Sequence, residues 1–193
     1  VKEISRDKVG GAIDNYGLPS PHHKAKLACM AGAESVDEAA LEVRQIYFPR
    51  GFLAENIFVI DGPGEYEVKG VFVRGFSSKS FYDMGKYLNT IYVFKLEDMN
   101  VCVLGALGEK DLSVELLENL DDINILFVPI GGDGVLDSLE GYKLAVKLAP
   151  NVIIPTNYKD DKDPMLKNFL KEEGNTDLKS NDKFTIKKKE VGQ

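Results

Sequence analysis

The sequence predicts a layered α/β domain, with helices packed outside a system of sheets. Strand hairpins dominate residues 57–104, and strands alternate with helices from residue 112 onward. Composition supports a packed core: of 193 residues, 44% are apolar and 28% charged, which suits one folded domain. No apolar run approaches the roughly 18 residues that cross a membrane.

Residues 1–24 show no clear period. Gly10-Gly11, Gly17, Pro19 and Pro21 interrupt them, so they read as an irregular segment ahead of a domain over 25–193. Residues 26–31 form a short apolar run that ends at Gly32, the pattern of a buried strand. Over 36–46, Val36, Ala39, Ala40, Val43 and Ile46 share one helical face, and Pro49-Arg50-Gly51 ends that helix. Ile57-Phe58-Val59-Ile60 reads as a strand that stops at Asp61-Gly62-Pro63-Gly64, a dense turn signal. Residues 65–68 and 71–76 flank Lys69-Gly70 and read as a hairpin. Residues 77–88 are polar and aperiodic and read as a loop. Residues 90–96 and 100–104 form a second hairpin that turns near Asp98.

The last third alternates. Leu112, Leu116 and Leu120 give a short helix its apolar stripe, and 123–130 reads as a buried strand. After Gly131-Gly132-Asp133-Gly134, Asp137 with Glu140 three residues on marks a helix start, and Pro150 closes that helix. Val152-Ile153-Ile154 is another strand. Asp163-Pro164 is an N-cap followed by proline at the first helical position, and Gly174 follows the last turn. Residues 184–188 read as a final edge strand.

The 24 Lys and Arg against 31 Asp and Glu give a net charge of −7. An acidic chain is a poor nucleic-acid binder, whose affinity rests on cations at phosphates, so Lys187-Lys188-Lys189 reads as a solvated tail. The start, Val1 to Lys8, is polar and mixed in charge, unlike a signal peptide. Cys29 and Cys102 each lie in apolar runs, as buried thiols do in a reducing cytosol. These features make a cytoplasmic location the expectation, with neither nucleic acid nor membrane as a partner. Only two histidines occur, His22 and His23, and they are adjacent. A site needing three imidazoles from this sequence is therefore excluded, and neither a Ser-His-Asp nor a Cys-His pair can be assembled after residue 23.

Five motifs occur in a telling order: Phe58-Val59-Ile60-Asp61-Gly62-Pro63-Gly64-Glu65-Tyr66, Asn89-Thr90-Ile91-Tyr92-Val93, Cys102-Val103-Leu104-Gly105-Ala106-Leu107-Gly108, Leu126-Phe127-Val128-Pro129-Ile130-Gly131-Gly132, and Val152-Ile153-Ile154-Pro155-Thr156-Asn157-Tyr158. Together they resemble the metallo-β-lactamase fold, and most closely the small bacterial branch of lactonase-like Zn-dependent hydrolases. The likeness covers about half the chain well, 25–37 weakly, and does not visibly reach 1–24. It implies a four-layer αββα sandwich, here with shortened or missing N-terminal strands. It also implies hydrolysis by two zinc ions that polarise a substrate and a bridging water.

The resemblance also implies where the ligands should be, and there the sequence departs from it. The family's His-x-His-x-Asp-His run corresponds to 32–37, which reads Gly32-Ala33-Glu34-Ser35-Val36-Asp37. A further family histidine falls near Ser80. The bridging Asp of His-Leu-Gly-Asp falls on Ala106, and the last histidine, before Tyr, is Asn157. The expectation is a fold member that lacks its metal ligands, holds no cofactor and serves a non-catalytic binding or assembly role, with a homo-oligomer or protein partner. The former metal positions are Gly32, Glu34, Asp37, Ser80, Ala106 and Asn157, and a residual pocket would comprise Glu34, Asp37, Ser80, Glu109 and Asn157.

Three other readings compete. Glu34, Asp37, Glu109 and Asn157 are hard ligands that suit Mg²⁺, Mn²⁺ or Ca²⁺ in a remodelled hydrolase of phosphate esters or lactones. His22-His23 could complete a zinc site, although adjacent residues of an extended segment point to opposite sides. The glycine turn 131–134 before a helix could cradle phosphate, although a tight strand-to-helix turn is the simpler reading. Tyr82, Tyr87 and Tyr92 lie around the expected site loop, where they could stack a ligand.

Overall fold

A computed structural model describes residues 11–13, 27–30, 57–60, 62–68, 70–81, 85–174, 186 and 188–191. Two sheets organise it. The first has the order β1 (Gly11–Ile13), β2 (Leu27–Met30), β3 (Ile57–Ile60), antiparallel throughout, with Gly11 opposite Cys29 and Leu27 opposite Ile60. The second has six strands in chain order: β4 (Gly64–Val68), β5 (Val71–Ser80), β6 (Tyr87–Leu96), β7 (Met99–Val103), β8 (Ile125–Pro129) and β9 (Val152–Thr156). Hairpins make β4 to β7 antiparallel, and helical crossovers make β7, β8 and β9 parallel. The crossovers and the C-terminal region carry α1 (Val114–Glu118), α2 (Ser138–Leu148) and α3 (Pro164–Glu172).

Alternation along the strands divides the core between the two faces of the large sheet. Ile91, Val93, Cys102, Leu104, Leu126 and Val128 point to one face and meet Leu144, Ala145, Leu148 and Phe169 of the helices. Tyr92, Phe94, Val101, Val103 and Ile125 point to the other face, where Ile60 at the end of β3 is buried with them. The Tyr92 hydroxyl donates to the Ile60 carbonyl at 3.1 Å, which fastens the end of β3 beneath β6. The layers are therefore helices, large sheet and the β3 end of the small sheet, which among the described residues are three of the four layers of the expected αββα sandwich.

Sequence signals set the helix starts. The Asp137 carboxylate accepts from the Glu140 amide at 2.8 Å, and the Glu140 carboxylate accepts from the Asp137 amide at 3.2 Å, closing a capping box before α2. Asp163 caps α3, accepting from the Lys159 amide at 2.7 Å and the Met165 amide at 2.9 Å. Helices α2 and α3 run side by side: the Ser138 hydroxyl donates to the Met165 carbonyl at 2.7 Å, and the Tyr142 and Phe169 rings meet edge-on at 6.4 Å.

Several expectations are corrected. Three residues of the segment 1–24 form a strand, β1, too short to show a period. The loop expected over 77–88 is shorter at both ends, because Ser77 to Ser80 continue β5 and Tyr87 and Leu88 begin β6. These serines keep the strand alternation but fill buried positions normally apolar, as Ser78 and Ser80 are both inside. Helix α1 is five residues rather than the nine of 112–120. Lys188 opens a 3₁₀ turn (Lys188–Glu190) and does not end a strand. The helix expected over 36–46 lies outside the described residues. Among those described, no helix is long and apolar enough to cross a membrane.

Two predictions follow from this packing. Phe169 is 1% exposed, so Phe169→Ala should lower stability by about 3–5 kcal/mol in urea denaturation. The amides of Lys159 and Met165 hold the Asp163 carboxyl below its usual range. A lowered folded pKa gives stability that is present above the unfolded value, about 3.9, and is lost as pH falls through the folded value. The stability gap between the native chain and Asp163→Asn should therefore be largest near neutral pH and close in acid.

Candidate functional site

The ends of β5, β7, β8 and β9 and the start of β6 come to the same end of the large sheet. Ser80 pairs with Tyr87 across β5 and β6, and Val103, Phe127 and Ile154 pair in a row across the parallel strands. The segments beyond these strands carry Ser80, Ala106, Glu109, the turn 131–134 and Asn157. The sequence-derived positions that the structure describes thus share one end of the sheet. Gly32, Glu34, Asp37, His22, His23 and Tyr82 lie outside the described residues.

Backbone hydrogen bonds stitch these segments to one another. The Phe81 amide donates to the Gly134 carbonyl at 2.8 Å, and the Ser80 hydroxyl donates to the same oxygen at 3.4 Å. The Gly108 amide donates to the Lys79 carbonyl, and the Leu136 amide to the Leu107 carbonyl, both at 2.8 Å. The approach is close enough to require glycine twice. A Cβ on Gly108 would lie 2.5 Å from the Gly134 carbonyl oxygen, and one on Gly131 would overlap the Asn157 carbonyl oxygen. Asn157 itself adopts φ 61°, a left-handed conformation that asparagine tolerates better than most residues.

Asn89, a residue the sequence reading did not single out, organises this end. Its side chain is fully buried. It donates to the Ser78 hydroxyl at 2.8 Å and to the Leu104 carbonyl at 2.9 Å, and accepts from the Ala106 amide at 2.9 Å. The available signal was a carboxamide inside an apolar strand, which must find partners or forfeit its burial.

The donor chemistry of the described residues does not fit a two-zinc centre. Ala106 presents a buried methyl, the Ser80 hydroxyl is engaged with Gly134, and the Glu109 carboxylate is paired with the Lys79 ammonium at 2.6 Å. Among the described residues, no three or more His, Cys, Asp or Glu side chains group closely enough to hold a metal ion. The Thr156 hydroxyl is buried here and has no hydrogen-bond partner among the described residues.

Two further expectations change. Tyr92 is buried in the inter-sheet core, so it cannot stack a ligand, while Tyr87 remains half-buried at the site end. The phosphate-cradle reading loses its cradle. The Gly132 amide is spent on the Leu136 carbonyl at 3.0 Å, and the Asp137 carboxylate already occupies the start of α2. Residues 131–134 are a strand-to-helix turn, with Gly132, Asp133 and Gly134 all at positive φ. Cys102 is a buried free thiol whose pKa burial pushes far up, which leaves it unreactive.

A family model described as a beta-lactamase superfamily domain matches residues 8–157. That match reaches into the first 24 residues, further than the sequence motifs alone. Among solved structures, the chain is similar to a candidate Zn-dependent hydrolase of the metallo-β-lactamase superfamily from Thermotoga maritima, with 34% identity, TM-score 0.49, and coverage of 58% of this chain and 57% of that one. It is also similar to Igni18, a metallo hydrolase from Ignicoccus hospitalis, with 20% identity, TM-score 0.41, and coverage of 63% and 51%. A candidate metal-dependent hydrolase from Parabacteroides distasonis gives 18% identity, TM-score 0.45, and coverage of 69% and 59%. The matched part of the chain therefore spans just over half the length of these structures. No curated protein sequence matches the chain significantly.

Removing the Asn89 side chain would strand the Ala106 amide and the Leu104 carbonyl in a dry interior. Asn89→Ala should cost about 2–5 kcal/mol, read from chemical denaturation.

Proposed function

We propose a function from the premise that this chain belongs to the beta-lactamase superfamily domain family of metallo-β-lactamase fold: a non-catalytic binding or assembly role, in place of the metal-dependent hydrolysis associated with that fold. The observation that carries this reading is Ala106. Ala106 is 5% exposed and its amide is fixed by Asn89, at the position to which the sequence resemblance assigns a bridging carboxylate. A bound metal pair would supply a Lewis acid and a water acidic enough to attack at neutral pH. Here a methyl group can neither bind nor bridge, and Ser80 and Asn157 bring a hydroxyl and a carboxamide in place of imidazoles. No histidine after residue 23 is present to act as a base instead. A cytosolic setting accords with the buried free thiol of Cys102.

The remodelled alternative uses Glu34, Asp37, Glu109 and Asn157 around a hard cation, with phosphate esters or lactones as substrates. The Lys79–Glu109 ion pair weighs against it, because that carboxylate already has a cation.

Metal content separates the two. After incubation with Zn²⁺, Mn²⁺ and Mg²⁺ and desalting, mass spectrometry should find no retained metal, and thermal melting should be unmoved. Retention of one or two ions per chain with a raised melting temperature favours the carboxylate site, and hydrolysis assays then identify its substrate. Ala106→Asp alone should not confer stoichiometric zinc binding, since the imidazoles are still missing.

A further inference from the structure

We propose that the helix layer is the interface of a two-fold symmetric homodimer, in which the acidic α1 segment of each copy lies against the lysine-bearing α2–α3 pair of the other. All three helices pack on the same face of the large sheet, through Leu116 and Leu117 of α1, Leu144 and Leu148 of α2, and Phe169 of α3. Their outer surfaces differ in charge. Residues 111–122 contain Asp111, Glu115, Glu118, Asp121 and Asp122, all exposed, and no basic residue. The neighbouring helices expose Lys143 and Lys147 on α2 and Lys167 and Lys171 on α3 against Glu172, and the turn ahead of α3 exposes Lys159 and Lys162 against Asp160 and Asp161.

Position across the layer makes this division usable. The Arg74 guanidinium of β5 reaches the Asn119 carbonyl and side chain at 3.5 Å, so α1 ends over the β5 side of the sheet. Helix α2 packs on β8, and α3 packs beside α2. One half of the layer is thus acidic and the other basic. A two-fold axis lying in the interface between the halves sets acid opposite base twice, as an isologous contact requires.

Two more observations favour a second copy of this chain as the occupant. The ion pairs Lys79–Glu109, Lys95–Asp98 and Lys110–Glu140 use none of the four helix lysines and none of the five acids of 111–122. Each charged half also carries apolar area. Val114 is 73% exposed within the acidic segment, and Leu139 and Val146 are 45% and 57% exposed on α2, seven residues apart and therefore on one side of the helix. On a chain of net charge −7 the four lysines have a complementary partner in the acidic segment 111–122 of a second copy.

This goes beyond the non-catalytic reading and does not depend on it, since metal content tests that reading and mass tests this one. Sedimentation velocity on the native chain at about 0.05 M NaCl should show a dimer. It should weaken at least roughly ten-fold toward 1 M salt, where the screening length falls to about 3 Å. Lys143→Glu with Lys147→Glu should be monomeric, as should Glu115→Lys with Glu118→Lys, each with unchanged circular dichroism. Mixing these two variants should restore a dimer, because every charge contact is then opposite in sign again. A native chain that is monomeric at every concentration, or a dimer indifferent to salt and to both charge reversals, overturns the proposal. So does a monomer that binds phosphatidylserine vesicles through the α2–α3 lysines, which assigns that face to an anionic membrane.

Discussion

At the loop-bearing end of the large sheet, four backbone segments leave their strands within a few ångströms of one another, and their polar groups cannot all reach water. The Asn89 carboxamide resolves most of that conflict. From β6 it holds the Ser78 hydroxyl on β5 and both the Leu104 carbonyl and the Ala106 amide beyond β7. Once residues 104–108 are fixed, the amide of Gly108 meets Lys79, and the carbonyl of Leu107 receives the amide of Leu136. The turn 131–134 is thereby brought against Phe81 and Ser80.

Most of the fold is legible in the sequence because the signals for it are local. Alternation in 91–94 and 101–104 separates the two core faces, Asp137 and Asp163 announce α2 and α3, and the hairpin turn falls at Glu97 and Asp98, both at positive φ. One failure shows its cause. Residues 77–80 look like loop because serines stand where apolar side chains would advertise a strand, and what makes serine acceptable at the buried positions 78 and 80 is a partner distant in sequence. The Ser78 hydroxyl meets Asn89, eleven residues away, and that of Ser80 meets Gly134, fifty-four residues away. Propensity and periodicity cannot register such contacts.

The site divides the same way. The grouping of these residues is legible, since motif order alone sends Ser80, Ala106, Glu109 and Asn157 to the ends of strands, and the structure gathers those ends together. What each residue does there is not. In the sequence Asn89 reads as one residue of a strand motif, and Tyr92 reads as near the site although the strand period turns it to the inter-sheet core, where it holds Ile60. The Lys79–Glu109 pair depended on residues thirty apart and could not be read from either neighbourhood.

On the proposed reading, these replacements form a consistent set. In a metal-bearing centre the ion holds several loops together and tolerates unpaired ligand atoms, because each ligand points at the metal. Without that ion, a carboxylate at position 106 would face a buried surface with no cation, a cost of several kcal/mol or a strongly raised pKa. Alanine avoids the cost, and the amide beside it takes a protein partner in Asn89. Serine at position 80 likewise supplies a donor that matches a carbonyl already present, that of Gly134. The loop end then needs no ion to close, since it is held by amides, carbonyls and one ion pair at its rim. On that reading such an end serves as a scaffold more than as a reaction centre. On the same reading, the surface left to do work is the helix layer on the side of the sheet that α1, α2 and α3 cover, whose exposed charge is divided between its halves.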